Sequence, residues 1–97
     1  MNRETALARL GALLPELRSR FGVRELAVFG SVARDEATDA SDLDLIVDFV
    51  GPATFDAFMG LKLFLEDTLA VRIDLVTRPA LKSRLKARIE AEARHVA

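Results

Sequence analysis

Apolar residues recur every three or four positions at the start of the chain, at Leu7, Leu10, Leu14, Leu17 and Phe21. This spacing predicts an amphipathic helix. Pro15 falls inside the run, so the helix is either kinked there or begins at the proline. Phe21-Gly22 ends the segment, with Gly22 suited to a left-handed cap. Arg24–Phe29 then reads as a short buried strand stopped by Gly30, and Ser31–Glu36 as a brief helix. Thr38-Asp39-Ala40-Ser41 is turn chemistry, and Asp42–Phe49 is a second strand closed by Gly51-Pro52. Thr54 caps a helix over residues 55–69, whose wide apolar face (Phe58, Met59, Leu61, Leu65 and Leu69) predicts packing on a sheet. Val71–Thr77 is a third strand, and Pro79 opens a last helix with Leu81, Leu85 and Ile89 at four-residue spacing.

Helices alternating with strands predict an α/β layer fold, a small mixed sheet of three or four strands flanked by helices. Residues 1–97 make a single domain. A chain of this length buries roughly 60–70% of its unfolded surface, enough for one core. With 51% hydrophobic and 30% charged residues, disorder is excluded. The absence of Cys removes disulfides and thiolate metal sites. No signal-peptide pattern follows Met1, and no apolar run approaches the ~20 residues that span a bilayer. The expectation is a cytoplasmic protein with no membrane partner.

Charge is segregated along the chain. Residues 35–56 carry seven acidic groups and no basic one, whereas residues 72–88 carry six basic groups and one acid, Asp74. Adjoining zones of opposite sign suit a site that gathers a cation and a polyanion; the plainer alternative is a pair of solvated faces. Lys82, Arg84, Lys86 and Arg88 cannot all share one helix face, and Trp and Tyr are missing. Direct nucleic-acid binding on a base-stacking platform is therefore not expected. His95, the only histidine, falls on the predicted last helix and receives no catalytic role.

Candidate chemistry centres on Gly30-Ser31 and on Asp42-Leu43-Asp44. Side chains two apart on a strand share a face, so Asp42 and Asp44 lie together opposite Leu43 and Leu45. Carboxylates so placed repel unless a cation lies between them, and all-oxygen donors favour Mg²⁺. Asp is depleted in strands, which argues against mere decoration for solubility. Asp74, alone among Val71, Ile73, Leu75 and Val76, either completes a metal-binding trio or pairs with Arg72 or Arg78. Gly30 lets a phosphate approach the backbone and Ser31 adds a hydroxyl donor. Arg34 follows one helical turn later, as a phosphate ligand or as a salt bridge to Asp35 or Asp42. Ser41 is a turn hydroxyl.

Gly30-Ser31, ten residues, Asp42-Leu43-Asp44 and a later strand-borne Asp74 resemble the polymerase-beta-type nucleotidyltransferase superfamily. More narrowly, Phe29-Gly30-Ser31-Val32-Ala33-Arg34 with Ser41-Asp42-Leu43-Asp44-Leu45 is similar to the minimal nucleotidyltransferases (MNT). The resemblance implies a polymerase-beta-like core that uses Mg²⁺ and a nucleoside triphosphate, ATP or another, to place a nucleoside monophosphate on a hydroxyl. It implies catalytic and metal-binding roles for Asp42, Asp44 and Asp74, and nucleotide binding by Gly30, Ser31 and Arg34. It further implies a HEPN-domain toxin as partner, with this chain as the antitoxin adding AMP to it in a hetero-oligomer. One departure is Asp35, where the family usually has Gly after the motif arginine. Two rival expectations stand beside this one: an antitoxin that only binds and blocks, and a nucleotidyltransferase acting on a small molecule such as an antibiotic. A partner bringing its own hydroxyl to an open site fits a chain this short, and predicts exposed apolar surface at the site's rim.

Overall fold

The computed structural model describes residues 1–81 and 83–96. Lys82, one of the basic residues singled out above, lies outside them. The elements are helix α1 (Arg3–Phe21), strand β1 (Val23–Phe29), short helix α2 (Gly30–Ala33), strand β2 (Leu43–Phe49), helix α3 (Phe55–Leu69), strand β3 (Ile73–Thr77), helix α4 (Ser83–Glu92) and strand β4 (Arg94–His95). The sheet order is β3-β2-β1-β4, and the pairing is mixed: β1 runs antiparallel to β2 and β4, while β2 and β3 are parallel. The α/β class and the small mixed sheet are as expected.

Period-two alternation sorts the strands into two faces. Leu26, Val28, Leu43, Leu45, Val47, Phe49, Ile73 and Leu75 join one apolar core with Ala6, Leu10 and Leu17 of α1 and Leu61, Leu65 and Leu69 of α3. The side chains between them, Asp44, Ile46, Asp48 and Asp74, therefore look the other way. That second face is where the charged groups collect. α4 is only lightly attached: none of its described residues is buried, and Leu85 is 51% exposed. β4 supplies a firmer tether through its pairing with Ala27 and Val28, and Val96 N–H donates to Leu26 O at 2.8 Å.

The ends of the helices follow local chemistry. Asn2 caps α1 by accepting from Thr5 N–H at 2.8 Å, and Gly22 closes it with φ 70°. Thr54 caps α3 through Ala57 N–H at 3.1 Å. Two expectations need correction at the C-terminus. Pro79 lies in a 3₁₀ turn, Arg78–Ala80, that Leu81 ends by turning extended, so α4 is a separate element. His95 is on β4, not on a helix, because α4 stops at Glu92 and the chain returns to the sheet edge.

The helix α1 runs through Pro15 rather than beginning there. An interior proline loses one backbone hydrogen bond and crowds the carbonyl four residues earlier, here that of Gly11. Pro15 itself is exposed, so its ring contributes little to the core. Pro15→Ala should therefore stabilise the protein by roughly 1–2 kcal/mol once the looser unfolded chain is allowed for. The check is denaturant unfolding, and an unchanged or lowered midpoint would contradict it.

Candidate active site

Three backbone segments meet at Asp44. β1 ends at Phe29, which pairs across the antiparallel ladder with Asp44. The next residue, Gly30, turns with φ 71°, a left-handed conformation that favours glycine. Space demands glycine as well, since a Cβ there would stand 2.1 Å from Asp44 Oδ2. On its other side, Asp44 is the register partner of Asp74 in the parallel β2–β3 ladder. Adjacent strands lie about 4.8 Å apart, so the two carboxylates share one face as near neighbours.

This crowding governs ionisation. Burial, first, then the charge and hydrogen bonding of Asp74, then the charge of Asp42, push the Asp44 carboxyl up to about 6, against a smaller pull from Arg34. Asp42 lies just before β2, and its Oδ1 accepts from Arg72 Nε at 3.1 Å. Asp74 and not Asp42 is thus the stronger carboxylate influence on Asp44, which the strand-periodicity argument alone had not distinguished. Asp74 is exposed, on the outer face of the edge strand β3, while its neighbours Ile73 and Leu75 turn inward and are buried. Neither of its anticipated arginines is committed to it: Arg72 holds Asp42, and Arg78 is paired with Glu90 and Glu25. Among the described residues, no three acids or histidines converge on a point fit for a metal ion.

The segment after Gly30 carries the remaining predicted groups. Ser31 is half-buried at the start of α2, and Arg34 is exposed at its end. Arg34 is paired, but not with Asp35 or Asp42: its Nε donates to Glu36 at 2.9 Å and its Nη1 to Glu92 at 3.0 Å. Glu92 also accepts the Gly30 N–H at 3.1 Å, so that amide is already engaged. Nothing in the local pattern marked Glu92, because its contact spans 62 residues of sequence. Ser41 behaves as the expected turn hydroxyl, accepting from Thr38 N–H at 2.9 Å. An open cavity of about 280 Å³ lies beside Asp42, lined by Ser41, Val71 and Arg72 among others.

Asp35 explains the departure from the family pattern. It adopts φ 62°, a left-handed conformation that glycine takes freely and aspartate tolerates. Asp35→Gly should leave the fold intact and change stability by no more than about 1 kcal/mol, read by thermal unfolding. A larger loss would show that the Asp35 side chain holds the turn.

The Asp44 environment gives a pH-dependent expectation. Its folded-state value lies above the ordinary 3.8, so the folded chain binds the proton more readily than the unfolded one. The stability this supplies is complete below the ordinary value and is lost as pH rises through about 6. Without added metal, Asp44→Asn should raise the melting temperature at pH 7.5 by roughly 2–5 °C, a figure discounted for solvent screening. The gain should fade below about pH 4, where the wild-type carboxyl is neutral in both states. A pH-independent difference would refute this assignment.

A model of the Nucleotidyltransferase domain family matches residues 10–96. The chain is similar to the protein adenylyltransferase MntA of Thermococcus cleftensis, at 44% identity over 81 residues, covering 84% of this chain and 82% of the relative. Among solved structures it resembles a chain assigned as a minimal nucleotidyltransferase, with TM-score 0.82 and 45% identity over 97% of this chain and 95% of that one. It shares a fold, at TM-score 0.70 and 17% identity, with a chain from the complex of tri-AMPylated Shewanella oneidensis HEPN toxin with MNT antitoxin; the match covers 98% of this chain and 71% of that one. Together with a Gly30-Ser31 turn set against paired aspartates, these matches show that the chain belongs to the nucleotidyltransferase domain family, as a homologue of protein adenylyltransferases.

Proposed function

We propose that this chain is an Mg²⁺-dependent nucleotidyltransferase that moves AMP from ATP to a hydroxyl of a HEPN-domain toxin and thereby neutralises it. The observation that carries the reading is the register of Asp44 beside Asp74, with Gly30 packed against Asp44. Two further findings support it. The Thermococcus relative is named a protein adenylyltransferase, and the Shewanella complex joins an AMPylated HEPN toxin to an MNT antitoxin.

A hard divalent cation suits these donors. They are carboxylate oxygens, and Asp44 is pushed up to about 6 by burial and by acidic neighbours whose repulsion a cation would relieve. Asp42, Asp44 and Asp74 are the residues that would hold it, Asp42 by giving up Arg72. That exchange is easy, since the Arg72 side chain is 82% exposed and surface pairs contribute little. When bound, Mg²⁺ would offset the charge that develops on the transferring phosphoryl group.

The protein's own groups divide the remaining work. Ser31 and Arg34 hold the triphosphate, while Gly30 acts through its lack of a side chain, its N–H being occupied by Glu92. Asp74, exposed on the edge strand, accepts the proton of the incoming hydroxyl. The hydroxyl oxygen bonds to the α-phosphorus as the bond from that phosphorus to the bridging oxygen breaks, and pyrophosphate departs. Positioning and charge compensation suffice for such a transfer. The open cavity beside Asp42 is at the small end of ligand pockets, which favours an acceptor carried in by a partner over an enclosed small molecule.

A second reading, neutralisation by binding alone, draws on a different surface. Phe55 is 76% exposed, Leu63 56% and Val50 72%, and Met59 lies between Phe55 and Leu63 at four-residue spacing on α3. Such exposed apolar surface suits a hetero-oligomer, but it is not at the site's rim as expected, because α3 packs on the sheet face opposite the acids. Val50 is six residues along from Asp44, or about 20 Å in an extended strand.

Co-expression with the cognate HEPN protein, followed by intact-mass measurement of that partner, separates the two readings. Wild-type chain should add one or more AMP units, and the Asp42→Asn/Asp44→Asn variant none. A stable, fully neutralised complex without any mass gain would establish the steric reading instead.

A further inference from the structure

Glu92 closes α4 and reaches across to the opposite end of the chain's chemistry. Its Oε1 accepts from Gly30 N–H at 3.1 Å, and its Oε2 accepts from Arg34 Nη1 at 3.0 Å. The side chain is only 20% exposed, although none of the described residues of α4 is buried. One carboxylate therefore grips both ends of the Gly30–Arg34 segment. The grip is not needed to finish the helix, because Ala93 N–H already donates to Ile89 O at 2.9 Å.

A guanidinium carries five N–H donors in a rigid plane. Glu36 engages Arg34 at Nε and Glu92 at Nη1, which fixes the plane while leaving other donors for an anion. Raised proton affinity of Arg34, first from the hydrogen bond to Glu92 and then from that to Glu36, is consistent with this hold. The other oxygen of the Glu92 carboxylate, Oε1, anchors the amide of the left-handed Gly30, whose position against Asp44 has no slack.

We propose that Glu92 is a positioning residue of the nucleotide site, orienting Arg34 and pinning the Gly30 turn so that the C-terminal helix sets the geometry in which the triphosphate is held. The proposal rests on the reading of Ser31 and Arg34 as the triphosphate ligands. It has a rival with opposite sign. A carboxylate seated on a phosphate's donors would act as a plug, and its removal would then strengthen nucleotide binding. Positioning wins here because Arg34 neutralises the Glu92 charge directly, and repulsion of an incoming anion at an exposed guanidinium is screened by water and salt.

The test is equilibrium binding of a non-hydrolysable ATP analogue with Mg²⁺ to the full chain, using Glu92→Gln, Arg34→Ala and the double variant. Glutamine keeps the shape and an oxygen that can accept the Gly30 N–H, so folding is retained while the carboxylate charge that faces Arg34 is lost. Glu92→Gln should weaken binding about tenfold, the loss of one charge-assisted hydrogen bond. In the Arg34→Ala background the same substitution should change affinity less than about twofold, because its route of action is gone. Tighter binding by Glu92→Gln, or equal weakening in both backgrounds, would overturn the proposal while leaving the nucleotide site in place. Absence of binding by the wild-type chain would instead remove the triphosphate reading itself. A second measurement needs no variant: hydrogen exchange at the Gly30 amide should be slow in the wild-type chain, and free exchange there would refute the strut.

Discussion

The structure turns on the absence of one carbon atom. Asp44 can occupy its place beside Asp74 only because residue 30 has no side chain, since a Cβ there would fall 2.1 Å from its carboxylate oxygen. The left-handed turn at Gly30 then ends β1 and directs the chain into α2. Steric fit and backbone conformation demand the same residue, so both constraints are met at a single position. Moving either partner would disturb the other.

Holding like charges together costs stability, and the topology determines where that cost is borne. A parallel β2–β3 pair requires a crossover, and α3 provides it while burying Leu61, Leu65 and Leu69 against the inner face. The same crossover sets the register that places Asp44 opposite Asp74. Each strand is therefore divided by its pleat into an inner row of Leu, Ile and Val that joins the core and an outer row that contains the acids. The apolar row offsets the repulsion of the charged row, and a one-residue slip would bury the aspartates. Such a slip is strongly disfavoured, so the hydrophobic pattern fixes the chemistry as much as the fold.

How much of this was legible in the chain depends on the range of the interactions. Helix and strand periods were local, and α3 was placed at its observed bounds because Thr54 and the apolar spacing coincide. Gly30, Ser31 and the aspartates were legible because the motif joins neighbouring strands. The partners of Arg34 were not: Glu92 is 58 residues away in sequence, whereas the acids proposed for it were nearby. The same limit hid β4, two residues long and paired to the far edge of the sheet. The apolar neighbours of Asp74 marked a strand suited to burial, and Ile73 and Leu75 are indeed buried, but the sheet order that puts β3 at an edge was not legible from them. Periodicity reports which face a residue occupies and says nothing about strand order.

The light attachment of α4 acquires meaning beside the site. An ordinary terminal helix is secured by an apolar stripe, yet this one is secured through Glu90 to Arg78, through Glu92 to Arg34 and Gly30, and by the return of β4 to the sheet. Charged contacts at partly exposed positions contribute less than buried leucines and are weakened by salt. A segment held in this way adds little to global stability, but it can impose direction on the groups it touches. Arg34 is one of those groups. In the last turn of α4, carboxylates do the holding that an apolar stripe does elsewhere, and one of them supports the edge of a polar site.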